Sequence, residues 1–193
     1  PLPEDAIPIS SAQELAAIGG ADSAGKTYYL ANDIQLTGEW KPIYEFRGTL
    51  DGRGHKISGL YISTASKEQL AALFASAYDA VIKNVGVEID SRGVSAYDDT
   101  AGGDVAYAAG LVGQSKNTDF INCYTTGGPV SANGAVPYAG GLVGYLMNKP
   151  ENQVINCFSN CQVSSESTQA TASNTCMAGG LIGELESGNG YQR

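Results

Sequence analysis

One seven-residue motif, repeated along the chain, sets the limits on how this sequence can fold. Tyr107-Ala108-Ala109-Gly110-Leu111-Val112-Gly113 recurs as Tyr138-Ala139-Gly140-Gly141-Leu142-Val143-Gly144 and as Met177-Ala178-Gly179-Gly180-Leu181-Ile182-Gly183. Ala71-Ala72-Leu73-Phe74-Ala75 is a weaker version upstream. The leucines Leu73, Leu111, Leu142 and Leu181 lie 38, 31 and 39 residues apart. A second motif follows each of the first three: Ile82-Lys83-Asn84-Val85, Ile121-Asn122-Cys123-Tyr124 and Ile155-Asn156-Cys157-Phe158. A third is shorter: Gly93-Val94-Ser95, Pro129-Val130-Ser131 and Gln162-Val163-Ser164. Repeats of this length mark stacked architectures, in which each unit buries its apolar face only against its neighbours.

The residues say what the segments are. Ile121 and Cys123 alternate with Asn122 and Tyr124, the two-residue period of a half-buried strand. Gly110 to Gly113 is short, apolar and bounded by glycine, so it reads as a buried strand packed close to its neighbour. No helical stretch of ten residues fits between the motifs. Three short strands per period predict an all-β fold, a parallel β-helix or solenoid of about four to five turns, stacked at a strand spacing of ~4.8 Å. Length differences fall in turns, with insertions at 98–104 and 164–175.

Residues 1–25 are expected to cap this stack, and residues 26–193 to form it, in units 71–106, 107–137, 138–176 and a partial 177–193. Residues 9–18 predict a short amphipathic helix: Ser11 and Glu14 have capping-box spacing, Leu15 and Ile18 mark an apolar face, and Gly19-Gly20 ends it. Strands are expected at 28–36, 46–50 and 55–63, with Asp51-Gly52-Arg53-Gly54 as a turn. At the other end Gly180 to Leu185 opens a new turn without an Ile-Asn-Cys partner. A start at Pro1 and a missing cap predict a piece of a longer polypeptide that continues at the C-terminal end.

Composition narrows the chemistry. Charged residues are 16% of the 193, glycine numbers 25, and the net charge is −9. That charge argues against nucleic acids and anionic membrane surfaces as partners. No apolar run is long enough to span a bilayer, so no membrane insertion is expected of this segment. A single histidine, His55, excludes any mechanism or metal site that needs two, and no H-E-x-x-H helix is present.

The repeated Gly-Leu-Val-Gly and Gly-Leu-Ile-Gly motifs, with their Ile-Asn-Cys-aromatic strands, resemble the GLUG-motif repeats of bacterial surface proteins. The N-terminal part is similar to the segment that often precedes such repeats: Ile9 to Leu15, Tyr29-Leu30-Ala31-Asn32-Asp33-Ile34, Trp40-Lys41-Pro42-Ile43 and Phe46 to His55. The resemblance covers about Ile9 to Leu185. It implies a right-handed β-helix, export and display on the bacterial cell surface, as in adhesin-like proteins and the non-catalytic parts of immunoglobulin A protease-like proteins. It carries over no catalytic residues. The sequence departs from the pattern at Leu73-Phe74-Ala75-Ser76, where the second glycine is missing, so a distorted turn is expected there.

Several residues could carry chemistry. His55 opens a strand after a glycine turn and reads as turn chemistry beside Asp51. Asp98, Asp99 and Asp104 could offer oxygens to calcium but match no calcium-loop spacing, so no metal is expected. Cys123 and Cys157 occupy matched places and read as stacked buried thiols, while a Cys161–Cys176 bridge is possible. The matched aromatics Tyr107 and Tyr138, and Tyr124 and Phe158, are the candidate ligand-binding residues, because a ladder of exposed rings suits stacking against sugars. The competing reading has the rings stacking on one another. Asp51, Glu88, Asp90 and Asp119 are too dispersed for the paired carboxylates of a polysaccharide-cleaving β-helix. The expected function is therefore a non-catalytic, cofactor-free adhesin or stalk module that binds a host glycan or extracellular protein. A carbohydrate-active enzyme fragment and a passive spacer are the alternatives.

Overall fold

A computed structural model describes residues 2–98, 105–149, 151–168 and 175–187. The fold is predominantly β, and the strands among the described residues pair in parallel from one period to the next; Val81–Lys83, Asp119–Ile121 and Val154–Ile155 pair in this way. They extend a six-stranded sheet whose other members are Ile7–Ile9, Thr27–Leu30 and Thr49–Asp51. Parallel neighbours need a long crossover, and here each crossover is the rest of one period.

From this first sheet the chain enters a second, through Gly86–Tyr97 in one period, Tyr124–Gly127 and Val130–Gly134 in the next, and Phe158–Ser159 and Val163–Ser167 after that. It then crosses a third sheet, made of Leu70–Ala71, Val105–Ala109, Val136–Gly140 and Met177–Gly179. A fourth holds Phe74–Tyr78, Val112–Lys116, Val143–Asn148 and Ile182–Ser187.

The period thus visits four sheets, not the three segments expected from the motifs. The difference lies in the glycine motif, which is a corner between two strands and not a strand. Val105–Ala109 and Val112–Lys116 belong to different sheets, and the chain turns at Gly110-Leu111. The backbones at these corners come too close for side chains. A Cβ on Gly140 would lie 1.8 Å from Val143 O, and one on Gly144 2.6 Å from Gly113 O. The corner leucines point inward and link the periods: Phe74 N donates to Leu111 O, Leu111 N to Leu142 O (3.0 Å) and Leu142 N to Leu181 O (2.9 Å).

Like residues stack over like residues in the core. Tyr28, Leu50, Ile82, Phe120 and Val154 form one register column across five strands, and Leu50, Ile82 and Phe120 are fully buried. Thr125, also fully buried, donates from Oγ1 to Gly141 O at 2.8 Å and so satisfies a corner carbonyl inside the core. Towards the last period the same columns open. Ile155, Phe158 and Leu185 are exposed large apolar residues, and Val154, Leu181 and Ile182 are only partly buried.

Three expectations need correction. The N-terminal helix is Ala12–Ala16, shorter than residues 9–18; Ile9 instead ends a strand beside Leu30, and its carbonyl accepts from Ala31 N at 2.9 Å. The capping box of Ser11 and Glu14 is formed, and Leu15 and Ile18 are buried. The stretch 28–36 is broken into Thr27–Leu30 and Ile34–Gln35, and 46–50 contributes only an isolated bridge at Phe46 before Thr49–Asp51. At Ala75 the register is undistorted, with Phe74 opposite Val112 and Ser76 opposite Gln114. On its other side the neighbouring segment pairs only through isolated bridges at Ile43 and Phe46.

Candidate functional site

The corner between the first and second sheets is built on asparagine. Asn84, Asn122 and Asn156 hold φ of 55°, 53° and 52°, the left-handed region that asparagine tolerates better than other non-glycine residues. Their amides form a ladder. Asn156 Nδ2 donates to Asn122 Oδ1 at 3.2 Å, Asn122 Nδ2 to Asn84 Oδ1 at 2.9 Å, and Asn84 Nδ2 to Asp51 Oδ1 at 3.0 Å. Asn84 and Asn122 each use one N–H and one lone pair in the ladder and so keep one donor and one acceptor position for another partner, with Asn122 and Asn156 exposed.

Asp51 anchors the ladder. It also accepts from Arg53 N at 2.9 Å and lies 3.5 Å from Lys83 Nζ, with its side chain 14% exposed. Burial alone would push this carboxyl up, but the Asn84 and Arg53 hydrogen bonds and the Lys83 charge outweigh it and hold it below the usual carboxylate range. Arg53 is itself in the left-handed region, at φ 54°, and its guanidinium sits 5.4 Å from the Tyr29 ring centroid. Among the described residues it forms no ion pair.

Next to the ladder stands the register column Lys56, Gly86, Tyr124 and Phe158. Gly86 supplies no side chain, and the Tyr124 ring leans into the space: a Cβ on Gly86 would lie 2.0 Å from Tyr124 Cζ. Phe158 stacks on Tyr124 with ring centroids 5.2 Å apart and planes 6° from parallel. An open cavity of about 530 Å³ results, lined by Asp51, Arg53, Gly54, Asn84, Asn122 and Tyr124. Amide donors and acceptors, a guanidinium and an aromatic wall around an open groove form a set suited to a polyhydroxylated ligand.

The four aromatic candidates divide into two places. Tyr124 lines this groove, and Phe158, 53% exposed, stacks on it. Tyr107 and Tyr138 lie between the third and fourth sheets, stacked at 5.3 Å and joined by Tyr145 at 5.4 and 6.3 Å. Both pairs stack ring on ring, as in the competing reading of the sequence, and Tyr124 differs in also lining an open cavity. The Tyr145 hydroxyl donates to the Glu186 carboxylate. Burial pushes Tyr107 up to about 12. This three-ring cluster is a packing feature, and the repeated motif could not reveal it because Tyr145 follows the motif only once.

The remaining candidates are not brought together. His55 pairs with Asp33, Nδ1 to Oδ1 at 3.0 Å, and not with Asp51. Glu88 pairs with Lys56 at 2.8 Å, Asp90 with Arg92 at 2.8 Å, and Asp119 accepts from Asn152 Nδ2 at 3.1 Å. Asp51, Glu88, Asp90 and Asp119 therefore each answer to a different partner. Asp98 is buried and accepts from Gln69 Nε2 at 3.3 Å, while Asp99 and Asp104 lie outside the described residues. No group of three or more His, Cys, Asp or Glu residues among the described ones could hold a metal ion.

All four cysteines are free, so Cys161 and Cys176 are not bridged. The Cys123 thiol is buried and donates to Ile82 O at 3.3 Å, and Cys157 donates to Ile155 O at 3.3 Å. The Cys157 thiol beside it, and then burial, push Cys123 up, as befits an inert core thiol. The sequence reading places only Asn122 on the outward side, alternating with Ile121 and Cys123. The signal for the ladder was their identical place in each period, one residue before the cysteine or valine.

No protein-family model matches the chain, and no curated protein matches its sequence. Among solved structures, that of a candidate immunoglobulin A1 protease from Bacteroides ovatus is similar at a TM-score of 0.46 and 15% identity, over 94% of this chain and 77% of that protein.

Proposed function

We propose that this chain is a right-handed parallel β-helix of the GLUG-repeat type, serving as a non-catalytic binding or stalk module of an exported bacterial surface protein. The observation that carries the reading is the corner groove, where stacked periods present Asn84, Asn122, Arg53 and Tyr124 on one surface. Parallel pairing in register from period to period supports the β-helix, because it makes each corner a repeating row of equivalent groups. The partner is a host glycan or extracellular protein held without bond cleavage. No described helix is long and apolar enough to cross a membrane.

A glycan and matrix-protein array probed with the intact chain tests this. Binding that falls at least tenfold in a Tyr124→Ala, Asn122→Gly double variant is the expected result. Release of new reducing ends from polysaccharides by the unmodified chain would contradict it and favour an enzyme.

A further inference from the structure

We infer that the corner groove selects a glycan bearing a carboxylate, a linear chain of hexuronate units whose acid group pairs with Arg53. This rests on the binding reading above and deepens it. The whole chain carries −9, which makes an anionic ligand an unexpected partner on charge alone. The groove wall itself holds a cation. Of the acidic groups at this corner, Asp51 is held by Asn84, Arg53 N and Lys83, Glu88 is paired with Lys56, and Asp33 with His55. Among the described residues Arg53 is the cation here that forms no ion pair, exposed on the groove wall with its guanidinium beside the Tyr29 ring.

A guanidinium meets a carboxylate with two parallel hydrogen bonds, a match that a hydroxyl does not offer. The sugar hydroxyls then find the unused donor and acceptor positions of Asn84 and Asn122, and Tyr124 supplies an apolar wall for the ring. The ladder continues to Asn156 one period further, so a linear chain meets the same amide again at each period. A compact terminal sugar would use only one rung.

Titration calorimetry with trigalacturonate and its uncharged methyl ester separates the possibilities. The acid is expected to bind about tenfold tighter than the ester. Arg53→Gln weakens binding of the acid more than of the ester and so removes that preference, and Arg53→Lys keeps only part of it. The Arg53 side chain is exposed, so both variants keep the circular dichroism spectrum of the parent. Equal affinity for acid and ester overturns the carboxylate inference while leaving the glycan reading standing. Binding of polyglutamate in place of either sugar also overturns it, and assigns the groove to a protein partner. Binding of none of the three overturns it too, and the array then decides the broader reading by itself.

Discussion

Tyr124 occupies the space that a side chain at Gly86 would need, with its Cζ 2.0 Å from the position of a Cβ there. The two residues are register partners in neighbouring strands, so an absence in one period shapes the surface of the next. The groove exists because this column runs Lys56, Gly86, Tyr124, Phe158 and not four large residues.

Replacing Gly86 with alanine should therefore move the ring and leave the strand in place. The atom in the way is the far end of a side chain, which can swing outward. Stacking on Phe158 is worth about 1 kcal/mol, and the added methyl restores about half of that by restricting the unfolded chain. Urea denaturation should show a net loss under about 1 kcal/mol, while ligand binding falls at least tenfold. A large stability loss would mean that the backbone, and not the ring, fills the gap.

The asparagine ladder predicts an order among variants. Asn122→Ala places a Cβ-bearing residue without a compensating amide at φ 53° and removes two rungs. The left-handed backbone costs roughly 1–2 kcal/mol and each lost hydrogen bond about 1 kcal/mol, for a total near 3 kcal/mol. Asn122→Gly loses the rungs but not the backbone preference, and should be about 1 kcal/mol milder. Equal losses in chemical denaturation would remove the backbone from the explanation.

The corners were legible in the sequence as motifs but not as corners. Gly-Leu-Val-Gly is apolar and short, and period-two reasoning makes it a strand; the approach of Gly140 to Val143 O shows that two strands of different sheets meet there. The parallel repeat itself was readable from the spacing of Leu73, Leu111, Leu142 and Leu181, because stacked periods demand like residues in register. The site was half-readable. Tyr124, Phe158 and the asparagines recur and so announce themselves, whereas Arg53, Asp51 and Gly86 occur once each at the corner and carry no repeat signal.

Gly144 and Ala75 give that corner geometry a quantitative check. A methyl on Gly144 would meet backbone atoms, Gly113 O at 2.6 Å and Ala108 O at 3.2 Å, which cannot yield as a side chain can. Gly144→Ala should cost about 3 kcal/mol. Ala75→Gly, at the equivalent place one period below Gly113, should cost only about 1 kcal/mol for one buried methyl and a looser backbone. Denaturant midpoints of the two variants would test the difference.

Stability should also fall in strong alkali. Burial raises Tyr107 from 10.0 to about 12. A group whose folded pKa lies above its unfolded one contributes stability that is complete below the unfolded value and is lost as pH rises through the folded one. The window is thus pH 10 to 12, and Tyr145, raised by burial and the Glu186 hydrogen bond, extends it upward. Ultraviolet titration of phenolate formation, compared with Tyr107→Phe, should show a late-ionising ring that disappears in the variant.

The most direct test of the central claim is an amide NMR titration of the 15N-labelled chain with trigalacturonate. The side-chain NH2 signals of Asn84 and Asn122 and the Nε–H of Arg53 should shift together and saturate at one concentration. Saturation with those signals unmoved, and with shifts confined to the Tyr107, Tyr138 and Tyr145 cluster or to no residue at all, would contradict the account.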